Sequence, residues 1–401
     1  MKSKKSKKSK KSKKSKLVYI THTRMPSEKA NSYQSMQMCN SFSRVYDRVE
    51  MWLPKLLNTS NMSGVEDVYE FYNVQESFKI QYLYTIDSTF LKKTNQFLWA
   101  NIKEVVFSVT VLFGIFKIKD SSVHIITRDW YVLKVLLFFK SIRLVKNDIF
   151  FEAHKFSKHL VSNLKRASGT IVINNNLSKL YKASGVDNIL IQHDGVNMDT
   201  FTSIDVQKAQ KMLNLDEHCR YIVYVGKFQT MGEEKGVSQI IESLKYVDKD
   251  VKALFVGGPL DNLNYYFKIA IKFNVSSDRL IFIDRKPVSE LYKYISAASV
   301  LLMPFPFTQH YAYYMSPLKM FEYMASKRPV IATKLPSIME VLTDKKNAIL
   351  CKPDNPIDLA DKINWTLGND CSEIVEQAYI DVQDYTWDKR AKNIKNFTDS
   401  V

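Results

Sequence analysis

Short apolar runs alternate with longer amphipathic segments along most of the chain. In the first half this pattern predicts strands at LVYI (17–20), VHIIT (123–127), IFFEA (149–153), TIVIN (170–174) and ILIQHDGV (189–196). In the second half it predicts strands at YIVYVG (221–226), ALFVGG (253–258), LIFID (280–284), VLLMP (300–304) and PVIAT (329–333). A first helix is predicted to begin after Pro26-Ser27-Glu28. Such alternation is typical of parallel α/β layers.

The rhythm restarts near the middle of the chain, which indicates two α/β units. A chain of 401 residues exceeds the usual size of one domain. We therefore predict a first unit over 17–200 and a second over 201–384, joined near Asn197–Arg220. A single open sheet of ten or more strands is the alternative and is uncommon. Ligands of open parallel sheets bind beyond the carboxyl ends of the strands, so two facing units would form one deep cleft.

The charge of the chain is concentrated at its start. The formal net charge is +17, but residues 1–16 contain ten lysines and no acid, and the other 385 residues carry +7. The repeated Lys and Ser residues cannot bury apolar surface, so we predict a disordered tail over 1–16. Three interpretations stay open: a solvated tail without a partner, peripheral contact with an anionic membrane, and polyanion binding. Nucleic acid is not an expected partner of the mildly basic remainder.

The apolar and cysteine content indicates a cytoplasmic protein. The lysine tract and LVYI lack the features of a secretory signal. The run Val105–Phe116 is shorter than the roughly 20 residues of a membrane span, and a buried helix or strand is preferred over a membrane-facing patch. The four cysteines, scattered and without a CxxC pair, indicate neither zinc nor disulfides.

The segment 314–340 has the most recognisable chemistry. Ser316-Pro317 predicts a helix start with a hydroxyl cap and a proline at the first helical position. The first turn of a helix offers free N–H groups and a positive dipole end to phosphate. Lys319 adds a charge to that turn, and Glu322 is a candidate for hydrogen bonds to ribose hydroxyls. A plain amphipathic helix with solvated Lys and Glu is the alternative.

Six segments follow one another along the chain: RMPSEKANSYQSMQMC (24–39), IVINNNLSKLY to IQHDGVNMDTF (171–201), Gly226-Lys227 with Glu234-Lys235-Gly236-Val237, DRKPVSELYKYISAASVLLMP (284–304), SPLKMFEYMASKRPVIAT (316–333) and DYTWDKRAKNI (384–394). In this order they resemble the retaining GT-B enzymes of glycosyltransferase family 4. The resemblance implies a GT-B fold, in which two Rossmann-like α/β domains face a central cleft. It also implies that residues 385–401 form a helix that crosses back to the first domain.

The resemblance assigns the donor side of the cleft to the second domain. It implies that Lys227 and Lys235 stabilise the departing diphosphate, and that Glu322 binds the ribose. The remaining donor-binding candidates are Gly226, Arg285, Ser316, Pro317, Leu318 and Lys319. Two positions depart from the family pattern: Lys227 replaces the common Arg, and Tyr314 stands where the first motif Glu is expected.

The resemblance also implies roles in the first domain. Glu152-Ala153-His154 looks like the family's E-x-H at a strand end, which makes His154 the third catalytic candidate, facing the donor sugar. Arg24, Ser27 and Arg128 are candidates for the acceptor side, and a surface ion pair is the alternative for Arg128.

The expected reaction is transfer of a hexose-like sugar from a nucleotide-diphosphate sugar to a glycan, lipid-linked or other acceptor. No cofactor and no metal are expected: the chain is taken to lack an Asp-x-Asp pair flanked by apolar residues, and lysines and a helix N-terminus would stabilise the leaving group in place of a metal. The alternatives are a GT-B-fold sugar-nucleotide epimerase and a non-catalytic nucleotide-sugar-binding homologue. A cytoplasmic location, peripheral at a membrane if the tail binds lipid, completes the prediction.

Overall fold

The protein is described by a computed structural model that covers residues 15–201, 204–230 and 232–401. Residues 1–14 of the predicted Lys/Ser tail lie outside the described residues. The predicted tail nevertheless extends too far, because Lys16 is the first residue of a strand and aligns with Arg48 and Val123 of the two neighbouring strands. Backbone hydrogen bonding includes this residue in the sheet regardless of its charged side chain.

The first half contains a seven-stranded parallel sheet with the order β3-β2-β1-β4-β5-β6-β7. Its strands are β1 (Lys16–Ile20), β2 (Arg48–Pro54), β3 (Lys79–Leu83), β4 (Val123–Thr127), β5 (Ile149–Ala153), β6 (Gly169–Val172) and β7 (Ile189–Ile191). The helices around it are α1 (Ala30–Phe42), α2 (Val68–Phe71), α3 (Thr89–Thr94), α4 (Gln96–Phe116), α5 (Trp130–Ser141), α6 (Val161–Leu164) and α7 (Asn175–Ala183). Helix α8 (Val206–Met212) lies in the connection to the second half.

The second half repeats the doubly wound order with six parallel strands, β12-β11-β8-β13-β14-β15, and adds a small antiparallel hairpin. The strands are β8 (Arg220–Lys227), β9 (Gln229–Thr230) and β10 (Glu233–Glu234) of the hairpin, β11 (Val251–Gly258), β12 (Leu280–Asp284), β13 (Val300–Met303), β14 (Val330–Thr333) and β15 (Ile349–Cys351). The helices are α9 (Val237–Ser243), α10 (Leu263–Lys272), α11 (Val288–Ser296), α12 (Gln309–Tyr313), α13 (Leu318–Ala325), α14 (Pro356–Gly368), α15 (Ser372–Val382) and α16 (Trp387–Asp399).

All ten strands predicted from apolar runs are present, with shifts of a few residues at their ends. Three strands of the main sheets were not predicted. β2 includes Arg48, Glu50 and Pro54, and β3 is an edge strand with little burial, so neither reads as an apolar run. β15 is only three residues long. The predicted strand at 189–196 ends at Ile191, and the first helix begins at Ala30.

Helix α16 returns to the first half of the chain. Trp387, Ala391 and Ile394 belong to the core cluster that also contains Phe42 of α1. The aromatic ring of Phe397 occupies the space beside Gly169, where a Cβ would lie 2.6 Å from that ring. The last helix is therefore part of the core of the first unit.

The run Val105–Phe116 lies within helix α4, which is buried on one side only. Phe107 and Val111 are fully buried against the first sheet, whereas Val105 and Phe113 are 50% and 60% exposed. The preference for a buried element is thus correct for one face of this helix and wrong for the other. Hydrophobicity on all sides does not distinguish the two faces in a sequence.

Candidate functional site

Each main sheet reverses its strand order at one point, between β1 and β4 and between β8 and β13. Ligands of doubly wound sheets bind outside the carboxyl ends of the strands at such points. Most of the predicted site residues lie in the loops after β1, β4, β8 and β13, at the end of β8 or in helix α13. An open depression of about 850 Å³ beside β2 and β3, lined by residues such as Asp47 and Lys79, contains none of them.

Two lysines lie at the end of β8 on the donor side: Lys227 is the last residue of the strand, and Lys235 follows it. Gly236 has a φ of 89°, and a Cβ there would lie 1.9 Å from the carbonyl oxygen of Pro304, so glycine is required. The adjacent Lys235 N–H donates to the carbonyl of Phe228 at 2.9 Å, which holds Lys235 near the end of β8. Burial, with repulsion from Lys227, lowers the pKa of Lys235 to about 8. Burial and the positive charge of Arg285 lower the pKa of Lys227.

The helix start at α13 differs from its prediction. Leu318 is the first helical residue, and Pro317 is the N-cap, without a side-chain cap. The Ser316 hydroxyl is directed elsewhere and accepts a hydrogen bond from the Asp194 N–H at 2.9 Å. The predicted hydroxyl cap is therefore wrong, because Ser316 contacts the segment that connects the two units. Leu318 and Lys319 are in the first helical turn, whose N–H groups have no acceptor within the helix.

Lys319 is held in a buried position beside the end of β8. Its Nζ lies 3.6 Å from the ring centroid of Tyr224, and a Cβ at Gly226 would lie 3.2 Å from the same nitrogen. The Nζ atom has no hydrogen-bond partner among the described residues. Burial and the charge of Lys235 lower its pKa well below the usual value. A buried cation without a hydrogen-bond acceptor is costly unless an anion binds beside it.

Glu322 lies one turn after Lys319 and is also withdrawn from solvent. Burial raises the pKa of its carboxyl group to about 7, against the opposing effect of Lys319. The negative charge of Glu322 contributes to the raised pKa of Tyr33 in α1, so this carboxylate lies close to the first unit. Tyr314 stands at the position of the missing motif Glu. It packs against the hydrophobic core of the first unit, and its hydroxyl accepts a hydrogen bond from the Gln309 amide at 3.2 Å.

The first loop reaches the second unit through Glu28. The Arg24 guanidinium donates to the Glu28 carboxylate at 3.0 Å, and Arg285 donates to the Glu28 carbonyl oxygen. Ser27 is buried, and its backbone exchanges hydrogen bonds of 2.7 Å with the hydroxyl of Tyr72. The structure thus brings Arg24 and Arg285 to the two sides of one residue, whereas the Ser27 backbone is engaged in the fold of its own loop.

His154 and Glu152 follow the pattern of the predicted E-x-H. The His154 Nε2 lies 2.8 Å from the Glu152 carboxylate, and burial lowers the pKa of His154 to about 4. A carboxylate only accepts, so Nε2 carries the proton and Nδ1 of the neutral ring remains an acceptor. The Arg390 charge holds the pKa of the fully buried Glu152 well below its usual range, against its desolvation.

Arg128 joins the same network from the carboxyl end of β4. Its guanidinium donates to the Ser35 hydroxyl at 3.2 Å, and its charge lowers the pKa of Glu152. Arg128 therefore belongs to an internal network, and the surface ion pair considered for it is excluded.

Sequence reasoning missed several members of this network, among them Arg390, Gln34 and Asp194. Arg390 of α16 donates to the Glu152 carboxylate at 3.0 Å and to the His193 carbonyl at 2.9 Å. The Gln34 amide donates to the carboxylate of Asp194, and burial raises the pKa of Asp194 to about 7. No local motif marks these residues, because they come from a helix, a connection and the far end of the chain.

The sequence does contain one Asp-x-Asp spacing, Asp248-Lys249-Asp250 between two valines. Arg220 donates to Asp248 at 3.0 Å and to Asp250 at 2.7 Å, at the amino ends of β8 and β11. The pair is therefore at the opposite edge of the sheet from Gly226. Among the residues that the structure covers, no group of three His, Cys, Asp or Glu side chains could hold a metal ion.

The whole described chain is similar in fold to known glycosyltransferase structures. HepE of Anabaena, in complexes with UDP and with UDP-glucose, aligns with TM-scores of 0.69 and 0.67, at 16% and 15% identity, over 96% of this chain and 100% of HepE. Sucrose-phosphate synthase of Thermosynechococcus elongatus aligns with a TM-score of 0.70 at 16% identity, over 96% and 98% of the two chains. The GT-B fold is confirmed.

Sequence comparison finds curated relatives of this chain and a family model that matches its second half. The D-inositol 3-phosphate glycosyltransferase of Corynebacterium diphtheriae is 23% identical over 232 residues, which are 55% of this chain and 52% of that protein. The chain thus spans about half the length of the curated relatives it matches. Residues 219–369, which include Lys227, Lys319 and Glu322, match the family model of glycosyl transferases group 1. Residues 219–369 make up most of the second unit, which is therefore similar to a glycosyl transferases group 1 domain.

Proposed function

We propose that this protein is a retaining glycosyltransferase of family 4, which transfers a sugar from a nucleoside diphosphate sugar to a glycan, lipid-linked or other acceptor. The observation that carries the proposal is the buried Nζ of Lys319, which lacks a hydrogen-bond acceptor beside the first turn of α13. A diphosphate would supply the missing negative charge. HepE, which has a similar fold, forms complexes with UDP and UDP-glucose, and this supports a nucleotide sugar as the donor.

The donor diphosphate is assigned to the positive groups that the structure places together. Lys319 and the first-turn N–H groups of α13 would bind it, with Lys227 from the end of β8 and Lys235 from the loop after it. Burial, together with repulsion from a neighbouring cation, lowers the pKa of each of these lysines. Charge that develops on the leaving diphosphate relieves this repulsion, so stabilisation is greatest in the transition state.

The other groups would position the two substrates. Glu322 would accept hydrogen bonds from the ribose. Arg285 lies in the segment 284–304, which by its resemblance to the family would hold the nucleotide base. Nδ1 of the neutral His154 would accept from a sugar hydroxyl. With retention, the leaving diphosphate removes the acceptor proton on the same face of the sugar. Arg24 and Arg128 remain candidates for the acceptor side, and no metal is required in this scheme.

The cysteines bear on the location of the protein. All four cysteines are free thiols, and three are buried, which agrees with a reducing, cytoplasmic compartment. Among the described residues one helix, α4, is long and apolar enough to cross a membrane by length and composition.

Incubation with a panel of labelled UDP, GDP and ADP sugars tests the proposal. We expect one donor to be transferred or slowly hydrolysed, and Glu322→Ala and Lys235→Ala each to lower turnover or donor affinity by roughly 10- to 150-fold, because each removes a charge-assisted hydrogen bond of about 1.5–3 kcal/mol. Lys268→Met, on the exposed side of α10, is the control. Unchanged kinetics in both site variants would rule out this assignment.

A further inference from the structure

Helix α4 presents a stripe of apolar side chains to solvent. Val105, Val109, Phe113 and Phe116 are 50%, 42%, 60% and 42% exposed. Their spacing of four, four and three residues places them on one side of the helix. On a globular protein this side is normally polar, so the stripe requires an explanation.

Helix α5 continues the same surface. Trp130, Lys134 and Phe138 are spaced four residues apart and are exposed, with Phe138 at 58%. The ring of Phe116 lies 5.8 Å from that of Phe139, and Phe139 lies 5.3 Å from Phe138. The exposed stripes of α4 and α5 therefore form one continuous surface, which we call the apolar face.

The opposite side of α4 is fixed to the sheet. Phe107 and Ile115 are buried in the core of the first unit, and Gly114 allows the helix to approach Trp52, whose ring would lie 2.7 Å from a Cβ at that position. Although α4 has the length and composition of a membrane span, 28% of its apolar window is buried inside the protein. The geometry fits a helix that lies along a surface and does not cross a bilayer.

The segment that carries the apolar face is rich in exposed positive charge. Residues 88–146 contain ten lysines and arginines and three acidic residues. Lys103 pairs with Glu104, Arg128 lies in the internal network, and Lys140 pairs with Asp148. The other seven cations are exposed: Lys92, Lys93, Lys117, Lys119, Lys134, Arg143 and Lys146. Lys16 pairs with Asp120 at 3.2 Å, four residues after α4 ends, and nine lysines precede Lys16 in the sequence.

We propose that the apolar face binds the surface of an anionic lipid bilayer. Aromatic side chains enter the interface between headgroups and acyl chains, and each lysine near an acidic surface adds attraction. A second copy of the chain is a poorer occupant, because symmetric pairing of this face would bring its positive charges together. A soluble anionic partner would not account for the exposed rings of Phe113 and Phe138.

The apolar face adjoins the cleft. Trp130 follows directly after the Arg128-Asp129 pair at the carboxyl end of β4, where the first sheet borders the site. A bilayer on this face would present the headgroup of a lipid-linked acceptor to the cleft. This identification of the acceptor class rests on the proposed function, whereas the membrane binding does not.

Vesicle flotation tests the binding directly. The full chain is mixed with vesicles of phosphatidylcholine and phosphatidylglycerol, or of phosphatidylcholine alone, at physiological salt. We expect flotation with the anionic vesicles, and a fall of at least tenfold in the partition coefficient for Phe113→Ser/Phe138→Ser. The matched control is Ile271→Ser/Ile380→Ser, two residues that are 74% and 56% exposed on other surfaces and should change binding less than twofold.

Four further measurements complete the test. Deletion of residues 2–14 should weaken binding and its salt dependence, and brominated lipid should quench a fluorescence component that Trp130→Phe removes. Failure of the wild type to float, or equal flotation of the double variant and the wild type, overturns the proposal. So does light scattering that shows a dimer abolished by the same double variant without vesicle binding. Nucleoside diphosphate affinity should be unchanged in Phe113→Ser/Phe138→Ser, so loss of the proposed function is recognised separately.

Discussion

The two sides of the cleft use charge in opposite ways. On the side of the first unit, Glu152 is fully buried but is matched by Arg390 at 3.0 Å and His154 at 2.8 Å. On the side of the second unit, the Nζ of Lys319 is buried without a hydrogen-bond acceptor, and Lys235 and Lys227 add further positive charge. A matched network maintains a structure, whereas unmatched charge is suited to a ligand of opposite sign. Substitutions on the two sides should therefore have different consequences.

The largest effect is expected for Arg390→Ala. This change leaves the buried Glu152 carboxylate without its main cation, so the free energy of unfolding should fall by about 3–5 kcal/mol. Lys389→Ala is the matched control, because Lys389 pairs with Asp384 in an exposed position and its removal should cost at most about 1 kcal/mol. Urea unfolding followed by circular dichroism measures both. Equal, small losses would mean that Arg128 alone compensates Glu152.

Lys319→Met should show the opposite behaviour. Methionine keeps the apolar stem over Tyr224 and removes a cation that has no hydrogen-bond acceptor, so thermal stability should stay the same or rise. Affinity for the preferred nucleoside diphosphate should fall roughly 10- to 150-fold, since a charge-assisted hydrogen bond of about 1.5–3 kcal/mol is lost. Calorimetric titration and a thermal melt test the two halves of this expectation. A destabilised variant with normal affinity would make Lys319 a structural residue.

The titration of Lys235 predicts how nucleoside diphosphate binding depends on pH. Its pKa of about 8 means that the free protein loses this charge as pH rises from 7 to 9. Affinity for a nucleoside diphosphate should therefore fall by up to about tenfold over that range, and binding near pH 8 should take up protons. Lys235→Arg keeps its charge and should flatten the profile. Calorimetry in buffers of different ionisation enthalpy measures the proton uptake, and an unchanged profile in the variant would assign the titration to another group.

The smallest effect is expected from metal removal. If lysines and the α13 N-terminus stabilise the leaving diphosphate, treatment with EDTA should leave the rate of sugar transfer unchanged. A complete loss of transfer that manganese or magnesium restores would contradict the metal-free scheme. It would indicate that carboxylates of the cleft bind a metal ion.

The sequence predicts the layers of this molecule better than its interactions between units. Apolar runs such as YIVYVG and IFFEA identify buried strands, because parallel strands covered on both sides are apolar throughout. Edge strand β3 and the polar start of β2 lack that pattern. Gly236 is recognisable because its turn requires glycine, and Lys235 because the segment around it resembles the family. Arg390 is not, because its partner Glu152 is 238 residues away and no local rule connects them.

Large separations in sequence between residues in contact also determine the order in which the protein can fold during synthesis. The hydroxyls of Tyr46 and Thr398 are 2.7 Å apart in the folded chain but 352 residues apart along it, and Trp387, Ala391 and Ile394 cover the core beside α1. The first unit therefore emerges from the ribosome with this apolar surface uncovered, and it stays uncovered until α16 has been translated. A nascent chain of this protein should depend on chaperones during that interval more than a chain whose first domain is completed by its own residues.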